Sequence, residues 1–181
     1  MQRLLIFLGF MAIGTWLIYL VAVRGEDPEQ AAQDFRGKPN LMVMSGVHHQ
    51  ETRNGILAMD LKATQATVDE ASAKTLMDQV TFTLYEEGNK GEARISLMGK
   101  AGVAMMSQKQ ETVELTGDVD LLDNRGRRIF SDRVIYSGKE DRLVSPGPVR
   151  IVSPQGVQEG RSMEYRIKRK RMVLTEPRMY K

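Results

Sequence analysis

Apolar and polar residues alternate along most of the chain beyond residue 79. Val80, Phe82 and Leu84 are separated by threonines, and Ile95 and Leu97, Val113 and Leu115, Val119 and Leu121, Val149 and Ile151, and Met163, Tyr165 and Ile167 each flank a polar residue. A period of two puts one set of side chains on each face of an extended strand, the signature of half-buried antiparallel sheet. Turn-forming clusters separate the runs: Glu87-Gly88-Asn89, Asp123 to Gly126, Ser137-Gly138-Lys139, Ser145 to Pro148 and Pro154-Gln155-Gly156. The prediction is an all-β domain of successive hairpins. Met59 to Met77 is rich in Ala, Lys, Asp and Thr and fits neither period well, and is read as a strand followed by a loop.

The C-terminal half repeats itself at a spacing of 30. Gly117, Val119, Leu121, Gly126, Leu143, Val144 and Ser145 correspond to Gly147, Val149, Ile151, Gly156, Val173, Leu174 and Thr175, with Tyr136 and Tyr165 matching after one residue of slippage. Such a unit is too small to bury its own apolar face, so neighbours must stack into an extended, open sandwich or roll.

The amino-terminal region follows a different rule. Leu4 to Val23 carries no charge, and as a helix it spans about 30 Å, the thickness of a bilayer's hydrocarbon. Leu20 to Val23 lacks a good small-residue cleavage site, so the segment reads as a retained signal anchor rather than a cleaved leader. The basic residues flanking it do not settle its orientation, but long C-terminal domains translocate largely regardless of charge, which puts the domain on the outer side of the membrane. Gly14 and Thr15 are candidate contacts for a neighbouring membrane helix. Residues 1–23 are thus expected to be a transmembrane helix, 24–40 a polar linker with one helical turn begun by Asp27-Pro28, and 41–181 the β domain.

Composition narrows the functional classes. A net charge of +3 gives no nucleic-acid signature, although the eight basic residues from Arg161 to Lys181 face only Glu164 and Glu176. There is no cysteine, hence no disulfide and no thiol chemistry. The only two histidines, His48 and His49, are adjacent and would point to opposite faces of a strand, a poor start for a metal or acid–base site. No Gly-x-Ser-x-Gly, phosphate-cradling loop or His-Glu-x-x-His is present, so the sequence predicts neither an enzyme nor a cofactor.

An N-terminal anchor, Pro39-Asn40, Asn54 to Leu57, Gly99 to Val103 and Leu115 to Val119 with Asp132 and Tyr136 occur in that order. In this the chain resembles the LptC family, the inner-membrane components of the lipopolysaccharide transport bridge. Asn40 departs from the Asp expected after the proline. The resemblance implies an open, V-shaped antiparallel β-jellyroll (OstA-like) behind one transmembrane helix, with lipid acyl chains held in its interior. It implies three partners: lipopolysaccharide, the permease subunits of an inner-membrane ABC transporter, and a soluble periplasmic bridge protein of the same fold.

From the strand phase, the expected groove comprises Phe82, Leu84, Ile95, Leu97, Val103, Met105, Val113, Leu115, Val119, Leu121, Val149, Ile151, Met163 and Tyr165. Met105, Met163 and Met172 would adapt to several acyl chains, or fill gaps in an ordinary core. Met172, Val173 and Leu174 end the second repeat with no further unit to cover them, and form the expected docking edge. The basic run Arg166 to Arg171 reads as charge that keeps an edge from aggregating, with lipid phosphates as the other reading. Against lipid transfer stand a membrane-tethered adaptor without lipid and, more weakly, an anchored enzyme.

Overall fold

The computed structural model describes residues 28–37, 41–88 and 91–180. The expected anchor, with Gly14 and Thr15, lies outside them. Among the described residues no helix is long and apolar enough to cross a membrane. The chain divides into two compact units, Met1–Lys38 and Pro39–Lys181. The first contains α1, Pro28–Arg36, which begins on a proline and carries Arg36 in its last turn, as helix termini favour. Nine helical residues replace the single turn expected in the linker.

The second unit is all antiparallel β. Its strands are β1 (Met42–Arg53), β2 (Ile56–Asp69), β3 (Lys74–Glu87), β4 (Ala93–Ser107), β5 (Thr112–Asp123), β6 (Arg128–Ser137), β7 (Arg142–Ser145), β8 (Val149–Ser153), β9 (Gly156–Gly160), β10 (Ser162–Arg166), β11 (Arg171–Thr175) and β12 (Arg178–Tyr180). The expected loop before Met77 is instead a tight turn and the start of β3. Thr75, Leu76 and Met77 are all buried there, so packing overrides a composition poor in strand formers.

β1 to β6 pair in sequence order as hairpins, and each is interrupted at one row that crosses the sheet. The row runs through Gly46, Thr64, Gln79, Gly102, Gly117 and Asp132, as the flanking registers place them opposite one another. Gly46 and Gly117 adopt φ of +63° and +75°, open to glycine at little cost, and Gln79 and Asp118 are also left-handed at +50°. On β5 the row is a bulge: register shifts against β6 between Thr116 and Val119, and against β4 between Lys100 and Val103, opposite Asp120 and Thr116. Across the row the buried positions fall three apart in Ala63 and Ala66, Met77 and Val80, Ala101 and Ala104, and Ser131 and Val134. An unbroken strand would turn such pairs to opposite faces. In β2, β3, β4 and β6 the kink reverses the phase, so both halves of each of these strands serve one apolar core, while on β5 the bulge lets Val113, Leu115, Val119 and Leu121 do so without a change of parity.

After β6 the sheet forks. β6 pairs with β8 through Arg128 to Ser131, but with β7 through Ile135 to Ser137. One branch continues β8, β9, β12 and the other β7, β10, β11. The chain crosses between them at Pro146 to Pro148, at Arg161, and at Glu176-Pro177. Two buried hydroxyls close the fork: Ser131 Oγ lies 2.8 Å from Ser145 Oγ, and the pair also reaches the carbonyls of Pro148 (3.1 Å) and Gly147 (3.0 Å).

The repeat is present with one adjustment. Tyr136 pairs with Leu143 and Tyr165 with Met172, so Leu143 matches Met172 rather than Val173. The slippage at the tyrosines continues through the last strand.

Candidate functional site

The fold brings most of the expected groove together. Phe82, Leu84, Leu97, Val113, Leu115, Val119, Leu121, Val149, Ile151, Met163 and Tyr165 belong to one contiguous core, none more than 6% exposed. Three expected members do not share that face. At Ser96 the β3–β4 register shifts, Ser96 and Leu97 are both buried, and Ile95 turns outward at 45% exposure. Beyond the row at Gly102 the reversed phase buries Ala104, leaving Val103 and Met105 half-buried on the other side. Strict alternation across a kink placed them wrongly.

Other lining residues escaped the sequence reading. Met59 and Leu61 on β2 lie in the stretch that fits no single period, because the row divides it. Ile129, Val134 and Tyr136 on β6 have apolar phases that disagree on either side of Asp132, again because of the row. A search for two half-strands of opposite phase would have found both.

One end of the interior is closed by polar groups. The Asp123 side chain has no exposed surface and accepts bonds from the backbone amides of Arg125 and Arg127, both at 2.9 Å. It also holds the Arg127 guanidinium, whose Nε donates at 2.7 Å. That guanidinium lies 5.7 Å from the centre of the Tyr165 ring and approaches Met172 Sδ at 3.9 Å. The Tyr165 hydroxyl is buried without a hydrogen-bond partner. Burial pushes its phenol above the ordinary value, and the nearby Asp123 carboxylate adds to the shift. Burial likewise raises Tyr136, partly offset by Arg53.

The edges differ in character. Among the described residues β1 pairs only with β2, and Met42, Val43 and Met44 on it are exposed. Among the described residues β11 pairs only with β10, and there Val173 is 48% exposed while Met172 and Leu174 pack against the core. The expected docking triplet therefore presents one side chain outward and two inward.

The basic run sits on the turn between β10 and β11, and part of it is neutralised. Arg166 donates to Glu164 at 2.7 Å, and Lys170 lies 3.1 Å from Glu86. The histidines point apart as expected. His48 Nε2 lies 2.9 Å from Asp60 Oδ2, a bond that lowers the carboxyl of Asp60, and no cluster of three metal-ligating side chains exists among the described residues.

A family model described as "Lipopolysaccharide-assembly, LptC-related" matches residues 4–177. Among solved structures, the chain is similar to LptH of Pseudomonas aeruginosa. That protein is described as the LptA-homologous periplasmic component of the conserved lipopolysaccharide transport device. The match has a TM-score of 0.54 at 13% identity and covers 68% of this chain and 94% of that one. At that identity the likeness establishes a shared fold. No curated protein matches the sequence.

Proposed function

Because the chain belongs to the LptC-related family of lipopolysaccharide-assembly proteins, we propose that it binds lipopolysaccharide by its acyl chains and relays it from an inner-membrane ABC transporter to a soluble periplasmic bridge protein of the same fold. It acts as a carrier, not as an enzyme. Leu4 to Val23 holds it in the inner membrane as a single-pass anchor with the β domain in the periplasm, and Gly14 and Thr15 in that helix face the permease subunits. The β11 edge, with Val173 outward, adds a strand to the bridge protein.

The observation that carries this reading is the continuous apolar interior whose walls become separate strands beyond the fork. Burying an acyl chain is worth about 0.8 kcal/mol per methylene, so a lining shared by β3, β4, β5, β8 and β10 offsets the packing given up when the branches part. The lining side chains are closed over, so entry requires that parting. Close packing also favours one alternative, a membrane-tethered adaptor whose interior is only a core. Mass spectrometry of the full chain purified in mild detergent separates the two. Co-purifying lipid A species are expected, and a lipid-free protein would favour the adaptor.

A further inference from the structure

A cleft of about 360 Å³ opens outside the core beside the Asp123 turn, lined by Glu86, Arg94, Ile95, Asn124, Arg125 and Lys170. A second, of about 350 Å³, adjoins it and shares Glu86, Arg94 and Lys170 while adding Lys168 and Glu87. Both fall in the size range of small-molecule sites. Four cations thus face two carboxylates. Glu86 is already engaged, its Oε1 accepting from Lys170 at 3.1 Å and from Asn124 Nδ2 at 3.2 Å. Arg94 and Arg125 form no ion pair among the described residues, so two guanidiniums converge on the cleft with their donors uncommitted. Guanidinium is the side chain best matched to phosphate oxygens.

A second feature lies against the same turn, where Arg127, held by Asp123, stands 5.7 Å from the centre of the Tyr165 ring. The Tyr165 side chain is fully buried, its hydroxyl has no hydrogen-bond partner, and its charged neighbours are Asp123, Arg127, Arg125 and Glu86, two of which line the cleft. An orphaned buried hydroxyl costs stability unless something occupies it part of the time. Ile95, turned out of the core by the bulge at Ser96, supplies an apolar wall among the cations. Cations, an unused donor and one apolar wall suit the polar end of an amphiphile better than a free ion.

We infer that the cleft formed by Arg94, Ile95, Arg125 and Lys170 is a subsite for the phosphate-bearing headgroup of an acylated lipid, with the Tyr165 hydroxyl as an additional donor. The assignment rests on the lipid-carrier reading above. It adds where the headgroup sits while the acyl chains enter the core, to which Tyr165 belongs.

The test measures equilibrium binding of the full chain in non-ionic detergent to radiolabelled lipid A carrying both phosphates, and to the same lipid dephosphorylated. The bisphosphorylated lipid is expected to bind about tenfold more tightly, with a preference that shrinks as salt is added. The double variant R94Q/R125Q should abolish most of that preference and leave affinity for the dephosphorylated lipid as it was. Y165F should reduce the preference without lowering Tm, which separates a ligand role from a folding one. A preference that is absent in the natural protein, or that survives R94Q/R125Q, overturns the subsite while leaving the carrier reading standing. Failure to bind either lipid sinks the carrier reading and the subsite together. Inorganic phosphate in large excess should compete only weakly. If it alone binds as tightly as the lipid, the cleft is a free-phosphate site and the headgroup assignment is wrong.

Discussion

β2 to β6 and β7 to β12 line one interior by opposite means. In the first region each strand is 10 to 15 residues long and runs through the kink row, so both of its halves are one piece of chain. In the second no strand exceeds 5 residues, and the branches β8-β9-β12 and β7-β10-β11 are separate ladders joined by crossovers, side-chain packing and the Ser131–Ser145 contact. The same apolar lining is therefore covalently spanned on one side and only clasped on the other. On the proposed carrier reading, the mouth of the groove lies beyond the fork, where the lining is not spanned by single strands.

The two regions should part most visibly under core truncation. Leu121→Ala in β5 should cost about 2–5 kcal/mol, lowering Tm and releasing hydrogen-exchange protection in both regions together. Ile151→Ala in β8 deletes a side chain of similar size and burial, yet its loss of protection should stay within β8, β9 and β12. If Ile151→Ala loosened β2 to β6 equally, the two regions would be a single cooperative unit and the mouth would not exist.

A smaller effect is expected at the clasp. Ser131→Ala removes the hydroxyl shared by Ser145 and the Pro148 carbonyl, while Ser145 keeps its bond to Gly147. The cost should be about 1 kcal/mol in Tm measurements, accompanied by faster exchange in β8 than in β4.

The smallest effect is set by pH. Tyr136 lies on long strand β6 and Tyr165 on branch strand β10, and burial raises both phenols above the unfolded value near 10. A raised folded pKa means stability present below about pH 10 and lost as pH rises through the folded value, because the unfolded chain ionises first. Tyr165→Phe should blunt alkaline loosening of the branches, and Tyr136→Phe that of the long strands. An alkaline transition unchanged by both would place its origin elsewhere.

How far the sequence could be read follows from the same division. Wherever a strand lies on one side of the row, alternation placed the side chains well, as in Val119 and Leu121 or Val149 and Ile151. Among the expected groove residues, period two fails where a strand meets the row or a bulge, and Ile95, Val103 and Met105 all sit beside such points. Gly102 and Gly117 were visible as glycines in strands, the usual mark of a bulge, but which phase resumed after them depends on pairing with distant strands. The fork was hidden for another reason: Ser131 and Ser145 are ordinary polar residues until β6 changes partner. The Asp123 turn was legible as a turn, whereas its contact with Tyr165 joins residues about 40 positions apart.

Whether the core is a lipid groove entered when the branches part is decided by two adjacent leucines. Leu121 is fully buried and Leu122 is 38% exposed on the opposite face. A photoreactive side chain placed at each in turn, in living cells, should give a lipopolysaccharide adduct from position 121 and none from 122. Adducts from both positions, or none at 121 while the variant still folds, would contradict the groove reading.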